Sequence, residues 1–505
     1  MRLNAMKFPE KTALIFRDTR LSYLELNRRA NRLANALLSI GVNKGDRVAV
    51  LADNCPQYVE AYFATAKGGM VIVPINSSLD AEGITYIVGD SGANTIIFGE
   101  NYADTVNSLR TKLRPVKNYI VIGEASGAER YEGLLSDYPD SEPEVAIDED
   151  DTAWLLYTSG TTGAPKGVML SHKSQIVDSA NTLLTCFPIN RSDIHMVILP
   201  LFHIGALWHM RCHFYMGNTT VLMDTRDPRL VLETIEREKV TTLCFVPPMI
   251  VPIVEYPDID KYDLSSLRIM IYSGAPLSEG LEQRLKQVFG DIIIQVYALT
   301  EGGPAIIMPP LMEGTWQQVK RHGSCGKEVI NVEVRLVNEE GRDCAPGEVG
   351  EILAKGDNIM KGYWNMPEAT ARTLEGGYLN TGDLATKDEE GYYYITGRKK
   401  DTIISSGMPV YSPEVESVIS LHPAISEVAV IGVPDEELGE AVRAVVVLRT
   451  GAKANGDEIV GWCQHRLDGY KIPKSVEIVD QLPKTPSGKI LKHILRERFS
   501  QGRDN

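Results

Sequence analysis

YTSGTTGAPKGV, residues 157–168, follows a short apolar run, Trp154–Leu156, that is typical of a buried strand. Glycine lets the backbone turn its N–H groups inward and approach an anion closely, and hydroxyl groups add further donors. Lys166 adds a positive charge near the end of the stretch. We therefore predict that this loop binds the phosphates of a nucleotide through Thr158, Ser159, Gly160, Thr161, Thr162 and Lys166.

The loop differs from a Walker A loop, in which a Gly-Lys pair is followed by Ser or Thr. Here Lys166 follows Pro165 and precedes Gly167. A second interpretation is a flexible surface linker, because Ser, Thr and Gly are also common in linkers. The position directly after a predicted strand favours phosphate binding over a linker.

Composition limits the classes of function. A chain of 505 residues is too long for one compact core and predicts two or more domains. The net charge of −15 argues against nucleic acid as a general partner, so a polyanionic ligand would need a local basic site. The seven cysteines form no Cys-x-x-Cys pair, and no apolar run approaches the roughly 20 residues of a membrane span. We expect a cytoplasmic protein without a transmembrane segment.

The order of predicted elements indicates an α/β fold. A helix over 21–41 begins with capping-box spacing between Ser22 and Glu25. Strands and helices then alternate over 46–122 and again over 193–300, which predicts two α/β subdomains with mostly parallel sheets. Short glycine-punctuated strands from about 322 to 400 predict a small β-barrel-like subdomain.

The last hundred residues return to α and β patterns and are long enough for a small α+β domain. We place the boundary at Gly397–Lys400. The prediction is a large N-terminal domain, residues 1–399, and a smaller mobile C-terminal domain, residues 400–505, which carries Lys489.

Four further stretches accompany the glycine-rich loop in a fixed order. They are YALTE at 297–301, YLNTGD at 378–383, GRKKD at 397–401 and PKTPSGK at 483–489. Together with residues 157–168 they resemble the signature motifs of the adenylate-forming (AMP-binding) superfamily. That superfamily includes acyl-CoA synthetases, firefly-type luciferases and the adenylation domains of peptide synthetases. The chain most resembles its acyl-CoA synthetase branch.

Glu301 follows a predicted strand, and ligands bind at the carboxyl ends of strands in open α/β sheets. Its carboxylate could hold the Mg²⁺ that accompanies ATP. The alternative is an ordinary solvated charge. The resemblance favours the metal ligand and implies that Thr300 contacts the α-phosphate and Tyr297 lies near the adenine.

Two other turns gain a role only from the resemblance. Ser273, Gly274, Ala275 and Pro276 alone predict a turn, and the family places this segment at the wall of the adenine and acyl pockets. Asp383 could be an Asx-type turn residue. The resemblance assigns Asp383 to the ribose hydroxyls and Arg398 to a ribose or phosphate contact.

From its local sequence alone, Lys489 would be interpreted as a solubilising lysine on a turn. In the matching motif this lysine bridges the substrate carboxylate and the α-phosphate, where an ammonium group offsets the repulsion between two anions. The family also implies a hinge at Lys400, about which the small domain rotates between the two half-reactions. Gly407 would let the thiol arm of CoA pass, although SSGMP at 405–409 replaces the usual Ser-Gly-Gly-Glu-Asn.

The acyl pocket is predicted from positions near the same strand ends: His203, Trp208, Val246, Pro247, Tyr272 and Ala298. His203 aligns with a family aromatic residue that gates the channel to the CoA tunnel. Trp208 could instead fill the core, and the nearby His195, His209 and His213 raise the alternative of a metal site. Ala298 replaces a usual glycine, which predicts a shallower pocket for a medium-chain, aromatic or alicyclic acid.

The resemblance implies an AMP-forming acyl-CoA synthetase that uses ATP, Mg²⁺ and CoA, and a homodimer by family habit. Its catalytic residues would be Lys489, Thr300, Glu301 and His203. One alternative is an adenylating enzyme that passes the acyl group to another acceptor. Another is a non-catalytic nucleotide-binding module.

Overall fold

The computed structural model describes residues 1–158, 165–186, 188–274, 277, 279–435, 437–484 and 490–500. Each predicted α/β subdomain contains one large sheet. Among the described residues, the first sheet has eight strands in the order β20-β9-β8-β4-β3-β5-β6-β7, and the pairs from β8 to β7 are parallel. Its strands are β3 (Arg47–Leu51), β4 (Val71–Pro74), β5 (Thr95–Gly99), β6 (Asn118–Ile122), β7 (Glu129–Arg130), β8 (Thr152–Thr158), β9 (Lys166–Ser171) and β20 (Gly362–Tyr363).

The second sheet has seven strands within the described ranges, in the order β14-β13-β12-β10-β11-β1-β2. All of its pairs are parallel except the β1–β2 hairpin. The hairpin comes from the start of the chain, so long-range pairing rather than local sequence places it here. The strands are β1 (Thr12–Phe16), β2 (Thr19–Ser22), β10 (Ile194–Val197), β11 (Thr219–Leu222), β12 (Thr242–Phe245), β13 (Ile269–Tyr272) and β14 (Ile293–Gln295).

Helices cover the two sheets. The predicted helix after Ser22 is present, and the reciprocal Ser22–Glu25 capping box is formed. The helices of this part of the chain are α1 (Arg2–Lys7), α2 (Tyr23–Ser39), α3 (Pro56–Lys67), α4 (Ala81–Ser91), α5 (Ala103–Leu109), α6 (Tyr131–Ser136), α7 (His172–Thr185), α8 (Ile204–Met216), α9 (Pro228–Glu238), α10 (Pro247–Val254) and α11 (Glu279–Phe289). None of the described helices combines the length and apolar character needed to cross a membrane.

The predicted small β subdomain consists of antiparallel strands. A short sheet contains β15 (Tyr297–Ala298), β16 (Ala305–Met308) and β17 (Lys327–Glu328). A second sheet contains β18 (Glu333–Val337), β19 (Gly350–Lys355), β21 (Leu379–Lys387) and β22 (Tyr393–Arg398). A bridge between Gly326 and Tyr393 links the two sheets, and the short helices α12 (Trp316–Val319) and α13 (Pro367–Thr373) lie in the connections.

The C-terminal region forms its own sheet from β23 (Thr402–Ser405), β24 (Met408–Tyr411), β25 (Ile425–Asp435), β26 (Gly439–Leu448) and β27 (Ser475–Ile478). Its helices are α14 (Ser412–Ser420), α15 (Gly456–Cys463) and α16 (Lys492–Ser500). Two apolar clusters, one around Ile403 and Val430 and one around Ile431 and Leu495, contain only residues of this region. A separate core is what an independently folding domain requires.

Candidate active site

The glycine-rich loop closes a β-hairpin. β8 and β9 pair antiparallel, with Thr158 opposite Lys166. Ser159, Gly160, Thr161 and Thr162 lie outside the described residues. Because a strand rather than a helix follows the loop, its phosphate donors would be its own N–H and hydroxyl groups and not a helix N-terminus.

Lys166, Tyr363 and Glu301 lie next to one another at the exit of this hairpin. The Lys166 ammonium nitrogen is 4.8 Å from the centre of the Tyr363 ring. The Tyr363 hydroxyl donates to Glu301 Oε1 at 3.0 Å, which leaves the second carboxylate oxygen for another ligand. Burial, and then Glu301, raise the pKa of Tyr363, so the phenol stays a neutral donor. Tyr363 was not among the predicted site residues, because nothing in the local sequence links it to Glu301.

The turn that carries Thr300 and Glu301 is stabilised by hydrogen bonds from a buried side chain. Thr300–Gly302 is one turn of 3₁₀ helix after β15. The buried Asn358 side chain donates to Gly302 O at 2.6 Å and to Ala305 O at 3.1 Å. Gly303 has a φ of +87°, and a Cβ there would lie 1.9 Å from Asn358 O, so only glycine fits.

Asp178 supports the same turn from α7. Its Oδ1 accepts the Ala305 N–H at 2.8 Å, and its Oδ2 pairs with Arg211 of α8. Complete burial raises the pKa of Asp178 to about 7, although Arg211 and the Ala305 N–H favour the charged form. The carboxylate therefore couples the helix that begins after His203 to the strand that follows Glu301.

Tyr297, Asp383 and Arg398 form a second cluster. The Tyr297 hydroxyl donates to Asp383 Oδ2 at 2.7 Å, and Arg398 Nε lies 2.6 Å from Asp383 Oδ1. Asp383 lies in β21 and pairs with Arg398 of β22 across the ladder, so it is not a simple turn residue. Each carboxylate oxygen can accept more than one hydrogen bond, so Asp383 keeps acceptor capacity for further hydroxyl donors.

The predicted acyl-pocket residues do not all belong to one sheet. His203, Val246, Pro247 and Tyr272 lie at or after the carboxyl ends of strands of the second sheet, and Ala298 lies in β15 of the short antiparallel sheet. His203 is the residue before α8, and Val246 and Pro247 begin α10 after β12. Ser273 and Gly274 follow β13, and a Cβ on Gly274 would lie 3.6 Å from Val246 Cγ1. Ala275 and Pro276 lie outside the described residues. Ala298 is half-buried in β15, and the Tyr272 hydroxyl donates to Gln295 Oε1 at 2.9 Å.

Trp208 does not lie at these strand ends. Its side chain is fully buried, and the indole nitrogen donates to Thr182 Oγ1 at 2.9 Å. The predicted pocket role of Trp208 is therefore corrected to core packing between α7 and α8. A tryptophan on a mostly apolar helix is compatible with either position, so the sequence did not separate the two.

The side chains of His195, His209 and His213 are buried in the protein interior. The His195 and His213 rings stack with centres 4.1 Å apart, and Thr242 Oγ1 lies 3.0 Å from His195 Nδ1 and 3.1 Å from His213 Nε2. Burial lowers the pKa of His213 to about 3 and that of His195 well below its usual value. In the described part of the chain, no group of three or more His, Cys, Asp or Glu side chains is arranged to hold a metal ion.

His203 is also neutral at pH 7. Burial and then the nearby Arg226 lower its pKa to about 4. A neutral imidazole adds no charge at this position, which keeps it compatible with an apolar group.

Acid is expected to destabilise the protein through these histidines. Their ordinary pKa near 6.5 holds in the unfolded chain, whereas His203 and His213 titrate near 4 and 3 in the folded protein. Between pH 6.5 and 4 the unfolded state binds more protons, so stability is lost as the pH falls. Each such histidine costs about 1.4 kcal/mol per pH unit below 6.5.

Urea unfolding at pH 7.5, 6 and 5 measures this loss. We expect His213→Gln to reduce the pH dependence of the free energy of unfolding by the contribution of one histidine. His465→Gln removes an exposed histidine and serves as the control. Identical pH dependence in all three proteins would contradict the assignment.

A comparison with known families identifies the chain. The family model "AMP-binding enzyme" matches residues 1–364, and the model of the AMP-binding enzyme C-terminal domain matches residues 414–489. The chain belongs to the AMP-binding enzyme family. This confirms the predicted membership of the adenylate-forming superfamily in its acyl-CoA synthetase branch, and the class of the protein as an acid–thiol ligase.

Relatives of this AMP-binding enzyme match over nearly the whole chain. Feruloyl-CoA synthase of Amycolatopsis sp is 40% identical, with 97% of this chain and 96% of the relative covered. Long-chain-fatty-acid–CoA ligase FadD13 of Mycobacterium tuberculosis is 36% identical, with 96% and 94% covered.

Solved structures confirm the fold. Anthranilate CoA ligase AuaEII in complex with anthranoyl-AMP has a TM-score of 0.92 at 29% identity, with 98% of this chain and 96% of that chain covered. The o-succinylbenzoate CoA synthetase MenE of Bacillus subtilis, in complex with its acyl-adenylate, has a TM-score of 0.85 at 30% identity, with 100% and 98% covered.

The start of the C-terminal region of this AMP-binding enzyme is a short connection and a tight hairpin. Lys399–Asp401, which includes the predicted hinge Lys400, is one 3₁₀ turn between β22 and β23. Ser406 and Gly407, with φ of +53° and +77°, connect β23 to β24. A Cβ on Gly407 would meet no atom within 4 Å, so the outer side of this exposed turn is open.

Proposed function

We propose that this AMP-binding enzyme is an AMP-forming acyl-CoA synthetase for a medium-chain, aromatic or alicyclic carboxylate. One observation carries the proposal. Residues 297–301 join two polar clusters, Tyr297–Asp383–Arg398 at one end and Glu301–Tyr363–Lys166 at the other. A nucleotide along this segment would have its ribose hydroxyls at the first cluster and its phosphates at the second.

In the first half-reaction a carboxylate oxygen attacks the α-phosphorus of ATP, and the bond to pyrophosphate breaks. In the second, the CoA sulfur attacks the acyl carbon and AMP leaves. Neither step needs a catalytic triad, because both depend on orientation and charge stabilisation. Asp383 would accept the ribose hydroxyls, and Thr300 and Lys166 would contact phosphate oxygens.

Glu301 suits a magnesium ion that accompanies the phosphates. Mg²⁺ is usually held by one or two carboxylates together with substrate phosphates. Glu301 is fixed by Tyr363 through one oxygen and offers the other, and Lys166 lies beside it for the phosphate charge. The ion would neutralise charge on the leaving pyrophosphate.

Lys489 and the C-terminal domain, residues 400–505, supply the remaining charge in this proposal. All five signature motifs of the family are present in the sequence, and Lys489 ends the last of them. Lys489 would bridge the substrate carboxylate and the α-phosphate, and rotation about Lys400 would then bring the Gly407 turn to the site for the thiol step. The residues around Lys489 lie outside the described part of the chain.

The proposed substrate class rests on the predicted pocket positions His203, Val246, Pro247, Tyr272 and Ala298. His203 is neutral, and Val246, Pro247 and Ala298 are partly exposed apolar residues, so these positions suit an uncharged hydrocarbon group. The Ala298 methyl group takes space that the usual glycine would leave open. Similarity to a feruloyl-CoA synthase and an anthranilate CoA ligase supports an aromatic acid, whereas FadD13 is a long-chain enzyme.

Carboxylate-dependent exchange of pyrophosphate into ATP tests the first half-reaction, and CoA-dependent release of AMP tests the second. We expect both with ferulate, benzoate, cyclohexanecarboxylate or octanoate. A strong preference for palmitate would contradict the pocket argument. Exchange without CoA-dependent turnover would indicate transfer to another acceptor, and ATP binding without exchange would indicate a non-catalytic module.

A further inference from the structure

We propose that Tyr86 and Asp90, one turn apart on α4, are positioning residues that fix both ends of the phosphate loop. Asp90 contacts Tyr157 and Tyr86 contacts Pro165, which lie on either side of residues 159–164. The inference uses the proposed function only in that it takes the loop to bind ATP.

The entry of the loop is fixed by Asp90. Tyr157 is the penultimate residue of β8, and its hydroxyl donates to Asp90 Oδ2 at 2.5 Å. Burial and the Asp90 charge both raise the pKa of Tyr157, so the phenol remains a donor at any physiological pH. A hydrogen bond to a charged acceptor is among the stronger ones in proteins.

The exit of the loop is fixed by Tyr86. Its hydroxyl donates to the carbonyl oxygen of Pro165 at 3.0 Å, and Pro165 immediately precedes β9. The Tyr86 and Tyr157 rings meet edge to face with centres 6.5 Å apart. One face of α4 therefore contacts both ends of the segment between Thr158 and Lys166.

The end of α4 is itself braced against β9. The indole N–H of Trp364 donates to the backbone carbonyl oxygen of Asp90 at 3.0 Å. The backbone N–H of Trp364 donates to the backbone carbonyl oxygen of Gly167 at 2.7 Å. A Cβ on Gly167 would lie 2.9 Å from Leu155 Cδ1 and 3.3 Å from Trp364 Cβ, so glycine allows β9 and Trp364 to pack closely here. The helix end, the hairpin and Trp364 thus form one packed unit.

A loop with fixed ends has fewer conformations to lose when it binds an anion. Removing one support should therefore weaken ATP binding, while the pocket for the carboxylate, at the edge of the other sheet, keeps its geometry. This difference between two substrates separates positioning from a general loss of stability.

The test compares Tyr86→Phe, Asp90→Ala and Asp90→Asn. Calorimetry with ATP alone measures the Kd, and pyrophosphate exchange measures the KM for ATP and for the carboxylate. We expect Tyr86→Phe to raise the Kd for ATP about 2- to 10-fold and Asp90→Ala about tenfold or more. Asp90→Asn keeps an oxygen acceptor for Tyr157 and should recover much of the affinity. The KM for the carboxylate should stay unchanged.

Tyr394→Phe is the matched control, because Tyr394 donates to Asp388 Oδ2 at 3.0 Å in the β21–β22 turn. Unchanged ATP affinity in both Tyr86→Phe and Asp90→Ala would overturn the inference. So would equal rises of both KM values with a lowered melting temperature. Failure of the proposed function would give a different result. The wild-type protein would then bind ATP without pyrophosphate exchange, and the Kd values for ATP would still test the inference.

Discussion

Lys489→Ala is expected to lower the rate of carboxylate-dependent pyrophosphate exchange by roughly 100-fold or more. The attack of a carboxylate on a phosphate brings two negative groups together, and a single ammonium group placed between them stabilises the transition state. The loss should appear in kcat of the adenylation step, because the family role of this lysine is in the transition state. CoA-dependent conversion of preformed acyl-adenylate should change little, since in the proposed mechanism the rotation about Lys400 would take Lys489 away from the site before the thiol step.

The structure offers a control next to the same segment. Lys484 pairs with Ile490 across a β-bridge, and its ammonium nitrogen lies 2.6 Å from Glu427 Oε1. Lys484→Ala removes a lysine five residues before Lys489 and should retain most of the exchange rate. Full exchange activity in Lys489→Ala, or an equal loss in both half-reactions, would contradict the proposed role.

Asp383→Asn is expected to have the second largest effect, about a 100-fold fall in kcat/KM for ATP. Hydrogen bonds that involve a charged group contribute about 1.5–3 kcal/mol each, and the ribose would lose a charged acceptor. The substitution also removes the carboxylate that is paired with Arg398, which leaves Asp401 as its remaining acidic neighbour. We expect a loss of about 2 kcal/mol of stability, because the Arg398 side chain keeps 33% of its surface exposed to water.

A second buried pair separates the two losses. Asp193, before β10, pairs with Arg268 at the opposite edge of the second sheet, far from the carboxyl ends of the strands. Asp193→Asn should destabilise the protein without changing kcat/KM for ATP. Equal effects of both variants on ATP kinetics would show that Asp383 acts through stability alone.

Local sequence was sufficient for most elements of the fold. The helix predicted over 21–41 is observed at Tyr23–Ser39, because capping-box spacing and apolar periodicity mark a helix locally. Strand alternation predicted two parallel sheets. It did not predict that the β1–β2 hairpin joins the second sheet, since pairing between Leu14 and Thr220 depends on chain segments more than 200 residues apart.

By itself, the sequence was sufficient to identify the family and to predict the phosphate loop, Glu301, Asp383 and Lys489 as site residues, because each lies in a short contiguous motif that resembles one of the family. The tertiary structure alone brought Tyr363 to Glu301, Tyr297 to Asp383, and Tyr86 and Asp90 to the ends of the loop. It also shows that the Trp208 side chain, predicted for the pocket, is fully buried in the core. These partners are separated along the chain, and only packing of one element on another selects which polar groups meet.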